Sequence, residues 1–143
     1  MNQVLSILTG LKVEDTRSVI EQGFLDKNQS TAGCYIRTQS VHSISRGVVL
    51  AVEKDPKNLT WTVTVEVNSH KWVRYCCLSA VKVLTGLKIN VNDSIGYADR
   101  NLMRLEYCTN KKTKFPVRIT SRQLYKCDPT PIIFGQEILT EGF

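Results

Sequence analysis

Between Gly47 and Ala98 apolar and polar residues alternate in runs separated by tight turn signals, and this pattern constrains the fold more than any other stretch of the chain. In residues 61–68, Trp61, Val63, Val65 and Val67 fall on one face while Thr62, Thr64, Glu66 and Asn68 fall on the other. That is the period-two signature of a strand buried on one side. Residues 47–53 precede it across an Asp55-Pro56-Lys57-Asn58 turn, residues 71–79 follow across Ser69-His70, and residues 92–98 close the stretch. Strands joined by such short turns pair antiparallel, so the stretch predicts a β-meander.

The remaining segments read as attachments to it. Residues 1–11 predict a short strand or an arm, because Val4, Ser6 and Leu8 alternate with Leu5 and Ile7 before Gly10. Residues 13–24 predict a short helix capped by Asp15, with Val19, Ile20 and Phe24 as its apolar stripe and Gly23 at its end. Residues 26–34 are small and polar, as in a loop. Further strands are expected at 35–38, 40–44 and 102–108, and at 115–119, where Pro116 cannot donate to a ladder and so places the strand at an edge. From Asp128 onward an extended tail is expected. The fold class is therefore mostly β: a single antiparallel sheet of seven or eight strands, barrel-like, with an N-terminal arm (1–33), a β-domain (34–133) and a C-terminal tail (134–143).

Composition narrows the classes of function. A chain of 143 residues, 42% hydrophobic and 22% charged, suits one folded domain and argues against global disorder. The net charge of +6 is unevenly placed, since Arg100, Arg104, Lys111, Lys112, Lys114, Arg118, Arg122 and Lys126 crowd one region against Asp99 and Glu106. On a β scaffold such a patch reads first as a solvated face and only second as a site for phosphates or an acidic partner. Trp61, Trp72, Tyr75, Tyr97 and Tyr107, interleaved with Arg74 and Arg104, would suit a stacking platform for single-stranded nucleic acid, but cross-strand packing is the simpler use of Trp61 and Trp72. The five cysteines form no C-x-x-C pair, the first ten residues lack a signal-peptide pattern, and no apolar run is long enough for a membrane span. The expectation is a protein made in a reducing cytosol, with no membrane partner.

The order of the segments resembles the lysostaphin-type (LytM-like) zinc peptidase domain. Residues 40–49 are similar to the family's Pro-Val-Tyr-Ala-x-x-x-Gly-x-Val, and Tyr75-Cys76-Cys77-Leu78-Ser79 resembles Tyr-x-His-Leu-Ser. Residues 85–97 are comparable to its Gly-x-x-Val-x-x-Gly-x-x-Ile-Gly, Leu102-Met103-Arg104-Leu105-Glu106 corresponds to His-Leu-His-Phe-Glu, and Asp128-Pro129 to a closing Asn/Asp-Pro. The likeness covers about residues 34–133.

Such a resemblance implies a zinc ion held by two histidines and an aspartate, with a further histidine beside it. Here the two positions of the His-x-His strand are Leu102 and Arg104, the histidine before Leu-Ser is Cys77, and no His-x-x-x-Asp falls between Gly33 and Ser40. Leucine has no lone pair and arginine brings a permanent positive charge, so neither metal nor other cofactor is expected. His42, His70 and the cysteines show no spacing that presents two ligands from one turn, and Cys76 and Cys77 are expected on opposite faces of their strand. No P-loop, nucleophile elbow or cysteine–base signature is present.

What remains is a wall-hydrolase-like fold without its chemistry. The leading expectation is a non-catalytic structural subunit, most simply a bacteriophage tail or baseplate component made in the host cytoplasm and carried in the virion. Its partners would be other protein subunits and cell-wall glycan, bound through burial of Leu5, Ile7, Leu8, Ile132, Ile133 and Phe134. The alternatives are a zinc-dependent peptidoglycan endopeptidase whose ligands lie elsewhere, and a basic β-barrel that binds nucleic acid.

Overall fold

The structure, a computed structural model, describes residues 1–24 and 30–139. In chain order its elements are α1 (Gln3–Thr9), β1 (Ile20–Gln22), β2 (Cys34–Arg37), β3 (Ser40–His42), β4 (Gly47–Lys54), β5 (Trp61–Asn68), β6 (Lys71–Val81), β7 (Lys88–Ile89), β8 (Ser94–Ala98), β9 (Leu102–Thr109), β10 (Pro116–Ile119), β11 (Arg122–Cys127) and α2 (Thr130–Ile133). Single 3-10 turns stand at Thr16–Ser18 and Asp99–Asn101. Among the described residues no helix is long and apolar enough to cross a membrane.

The meander forms as its alternation requires. β4, β5 and β6 pair antiparallel in sequence order, with Val49 opposite Val65 and Val65 opposite Val73. Asp55 shapes the first turn by accepting from the Lys57 N–H at 2.8 Å, and Asn68 holds the second by accepting from the His70 N–H at 2.8 Å. Around this centre, among the described residues, eleven strands make one antiparallel sheet, whose main path runs β1-β2-β9-β6-β5-β4-β7. β8 joins it through β6 and β3, and β11 through β9 and β10. The barrel-like expectation is corrected, because the sheet is open: its end strands β1 and β7 are only three and two residues long and do not pair with each other. Among the described strands β10 pairs with β11 alone, at the edge where Pro116 was expected to confine it.

Both faces of the sheet are covered. Val63, Val65, Val67, Tyr75 and Leu105 face the principal core. On the opposite face the β10–β11 hairpin folds back, so that Ile119 and Leu124 pack with Trp72, Cys108 and Ala51. Thr64, on the face read as solvated, is consequently buried.

The two ends of the chain differ from expectation in a consistent way. Residues 3–9 are helical: Asn2 caps α1 by accepting from the Leu5 N–H at 2.9 Å, and Gly10 closes it in the left-handed conformation. Three-residue spacing places Leu5 and Leu8 on one helical face, where both are fully buried in the principal core, and this outweighs the period-two reading of so short a run. Asp15 is an N-cap as expected, accepting from the Arg17 N–H at 3.0 Å, but it starts only the 3-10 turn at Thr16–Ser18, after which Ile20 pairs with Ile36 in the sheet. At the other end the expected extended tail turns into α2, with Pro131 in its first turn. Ile132, Ile133 and Leu139 then join the same core as Leu5 and Leu8.

Gly10 shows how tightly α1 is seated. Its φ is +73°, and a Cβ there would lie 2.6 Å from a ring carbon of His42, whose Nδ1 is 3.4 Å from the Leu8 carbonyl. Gly10→Ala is expected to lower stability by about 1–3 kcal/mol, the range for a left-handed non-glycine residue. Urea denaturation reads this loss, and adding His42→Ala should recover the steric part of it but not the backbone part.

Candidate functional site

β6 and β9 run side by side, with Arg74 opposite Glu106 and Cys76 opposite Arg104. On the other flank of β9, Tyr35 of β2 lies opposite Arg104, and Lys126 of β11 lies opposite Cys108. This register gathers three cations onto one carboxylate. Glu106 accepts from Arg74 Nη1 at 2.6 Å, from Arg104 Nε at 2.6 Å and from Lys126 Nζ at 3.0 Å, and its side chain has no exposure. Lys126 Nζ also donates to the Ala32 carbonyl at 3.2 Å. Burial pushes the Glu106 carboxyl up, but the charges of Arg74, Arg104 and Lys126 outweigh it and hold the group below the usual carboxylate range.

Cys77 reaches the same place through a fault in the strand. The three residues of β5 from Trp61 to Val63 face four of β6, from Leu78 back to Tyr75, so one residue is extra. Cys77 has a φ of +65°, and its Sγ accepts from Arg104 Nη1 at 3.7 Å. The expectation that Cys76 and Cys77 face apart is thereby corrected: strict alternation holds only in a regular strand, and here both residues meet Arg104. Burial pushes the Cys76 thiol up to about 11 and also raises Cys77, so neither sulfur is a ready thiolate.

Two of the three positions where the resemblance implies metal ligation or catalysis, Cys77 and Arg104, are therefore in contact. Leu102, the third, stands at the start of β9 opposite Arg37 and offers no donor atom. These residues do not fit a zinc ion. A guanidinium lies where a ligand would stand, and the nearest carboxylate, Glu106, is already held by three cations. Among the described residues no three His, Cys, Asp or Glu side chains gather as a metal set. His42 packs at the end of α1, and His70 sits in the β5–β6 turn, 3.4 Å from the Asn110 amide.

A groove of about 770 Å³ opens over Arg74 and Arg104. Its walls are the β4–β5 turn, with Lys54, Asp55 and Lys57, and β10, with Val117 and Arg118. The basic region read as a solvated face thus divides. Arg104 and Lys126 are drawn inward, Arg122 pairs with Glu66 at 3.1 Å and stacks over Trp72, and Arg118 stays exposed. Nor do the aromatics form one platform. Trp72 and Tyr75 are buried, with Trp72 Nε1 donating to Glu66 at 2.9 Å and the Tyr75 hydroxyl accepting from the Ile44 N–H at 3.0 Å, while Tyr97 lies at the surface under Lys82.

The residues expected to bind partners are also divided. Leu5, Leu8, Ile132 and Ile133 belong to the chain's own core, Ile7 is partly buried against it, and Phe134 is about half exposed. For the four core residues this is a correction: the helical turns α1 and α2 direct them at the sheet, which leaves them no surface to offer. The Glu106 cluster itself was missed in the sequence. Its signal was present in Arg74, Arg104 and Glu106, which occupy alternate positions of two expected strands, but only the β6–β9 register pairs them.

The architecture is that of lysostaphin-type peptidase domains. Lysostaphin from Staphylococcus simulans superposes with a TM-score of 0.63 at 14% identity, over 80% of this chain and 48% of that one. A mutant catalytic domain of the prophage-encoded M23 protein EnpA from Enterococcus faecalis gives 0.59 at 14% identity, over 78% and 88%. A chain of the SpoIIQ–SpoIIIAH pore-forming complex gives 0.52 at 18% identity, over 88% and 78%. The chain spans about half the length of the lysostaphin structures. No protein-family model and no curated protein matches the sequence.

Proposed function

We propose that the chain is a non-catalytic structural subunit of a larger assembly, built on a wall-hydrolase fold whose metal site has been replaced by a buried ion cluster. The observation that carries this reading is Arg104, which stands at a ligand position of the resemblance, pairs with Glu106 at 2.6 Å and reaches Cys77 at 3.7 Å. A divalent cation there would face a guanidinium that does not deprotonate. The setting we propose is a bacteriophage tail or baseplate, assembled in the host cytoplasm and carried in the virion. The prophage-encoded neighbour and the neighbour drawn from a pore-forming complex support the use of this fold in such settings. Contacts with other subunits then fall to the exposed Leu84, Leu87, Phe134 and Ile138.

Sedimentation of the native protein from its source, paired with a wall-clearing assay, tests the proposal. The expected result is migration with a large particle and no loss of turbidity when the purified chain, supplied with zinc, meets peptidoglycan. A free monomer that clears the suspension would contradict it.

A further inference from the structure

Leu84 and Leu87 differ from the other exposed apolar side chains in being held out together by a tied-down turn. Residues 84–87 read Leu-Thr-Gly-Leu, and the Leu87 N–H donates to the Leu84 carbonyl at 3.2 Å, the bond that closes a β-turn, with Gly86 at a φ of +92° in its third place. That closure keeps the two leucine Cα atoms within about 7 Å of each other. The turn is fastened to β4, because the Gly86 N–H donates to the Val49 carbonyl at 2.7 Å and the Leu87 carbonyl accepts from the Val49 N–H at 2.9 Å. Val83 just before it and Ile89 just after it are buried in the principal core, yet Leu84 is 78% and Leu87 48% exposed. A Cβ placed on Gly86 would meet no described atom within 4 Å, so the tip stands clear of the rest of the chain.

The surroundings of the two leucines indicate what covers them. Lys82 and Lys88 flank them and are exposed, and Lys82 Nζ lies 4.7 Å from the ring centre of the exposed Tyr97. No carboxylate occurs in residues 67–92. Two acids adjoin this region and both are engaged. Glu66, which faces Val48 as Lys88 does from the other side, accepts from Trp72 and Arg122, and Asp93 accepts from the Asn90 N–H at 2.8 Å. Leucines at a tip, with lysines and a tyrosine behind them, match the layered boundary of an anionic bilayer, where apolar groups enter the acyl region and Tyr and Lys stay with the headgroups. Four backbone groups of the turn, Leu84 C=O, Gly86 N–H and both groups of Leu87, are already bonded within the chain, which lowers the cost of leaving water. A protein partner would need a cleft shaped to this convex tip, whereas a bilayer accepts it as it is.

We infer that the 84–87 turn inserts Leu84 and Leu87 into the surface of a bilayer bearing anionic headgroups, with Lys82 and Lys88 drawing it there. Contact from one side needs no membrane-spanning segment, so the inference departs from the expectation of no membrane partner without calling on an apolar span. It goes beyond the structural-subunit reading by giving these two leucines a lipid partner and leaving Phe134 and Ile138 for neighbouring subunits, and it stands or falls apart from that reading.

Flotation of the purified full chain tests it, with millimolar lipid as vesicles of phosphatidylcholine alone or of phosphatidylcholine and phosphatidylglycerol in equal parts. The chain should float with the mixed vesicles and at least tenfold less with phosphatidylcholine alone. Leu84→Ser with Leu87→Ser should cut flotation at least tenfold, whereas Leu11→Ser with Leu59→Ser, an equal loss of exposed leucine elsewhere, should leave it unchanged. Lys82→Glu with Lys88→Glu should cost more than Lys111→Glu with Lys112→Glu, the same change of charge in another exposed loop. Leu84→Trp gives a direct reading of depth: its emission should shift to the blue and be quenched by brominated acyl chains beyond the background of Trp61 and Trp72. No flotation with the mixed vesicles, equal losses from both leucine pairs, or a Leu84→Trp probe untouched by the quencher would overturn the inference. So would binding that survives loss of the leucines and is displaced by soluble polyglutamate, which would make the turn a site for an acidic protein instead. Sedimentation of the native assembly is unaffected by any of these results, so the two readings fail separately.

Discussion

Glu106→Gln should lower the free energy of unfolding by about 3–5 kcal/mol, the usual cost of removing one partner from a buried charge cluster. The side chain keeps its size, so the loss is electrostatic: Arg74, Arg104 and Lys126 would remain in place without the Glu106 charge they share. The effect carries a pH signature with a defined sign. The carboxyl is held below its usual range in the folded state, so its contribution is fully present above the unfolded carboxylate value of about 4.3 and is lost as pH falls through the lower folded value. The wild type should therefore lose stability steeply in that acid window, while the variant lacks this component and the gap between them narrows. Urea titrations of both proteins at pH 7 and at several values below 4.5 measure it. A gap that stays constant with pH would show that Glu106 contributes through packing and not through charge.

Leu8→Ala should cost about 2–5 kcal/mol, the range for emptying a fully buried leucine site. Leu8 has no exposure and lies in the same cluster as Leu5, Ile132 and Ile133. Deletion of residues 1–12 removes Leu5 and Leu8 together, a loss comparable to the whole stability of about 5–15 kcal/mol typical of a domain. The truncated chain is thus expected to be unfolded or insoluble at 25 °C, as read by circular dichroism and solubility. If it folded with unchanged stability, α1 would be an appendage after all, free to serve a neighbour.

The β-meander and the edge position of β10 were legible in the chain, because the first depends on local alternation and the second on the identity of one side chain. The ends were not. Val4 to Leu8 is too short a run for period two to be told from period 3.6, and only the Asn2 cap and the Gly10 stop decide for a helix. The ion cluster was hidden for a different reason. Arg104 and Glu106 sit on the polar face of an alternating strand, which reads as solvent-facing until the β10–β11 hairpin is known to cover that face. The contact of Cys77 with Arg104 depends on a one-residue bulge, and no pattern in residues 71–81 announces it.

The measurement closest to the central claim is the metal content of the native chain, purified without chelator, exposed to equimolar zinc and desalted. With Arg104 occupying a ligand position and Glu106 bound by three cations, the chain should retain no stoichiometric zinc, and its unfolding midpoint should not move on zinc addition. One zinc per chain, together with a raised midpoint, would mean that the chain holds a ligand set the positions of Leu102 and Arg104 do not supply, and would contradict the metal-free reading.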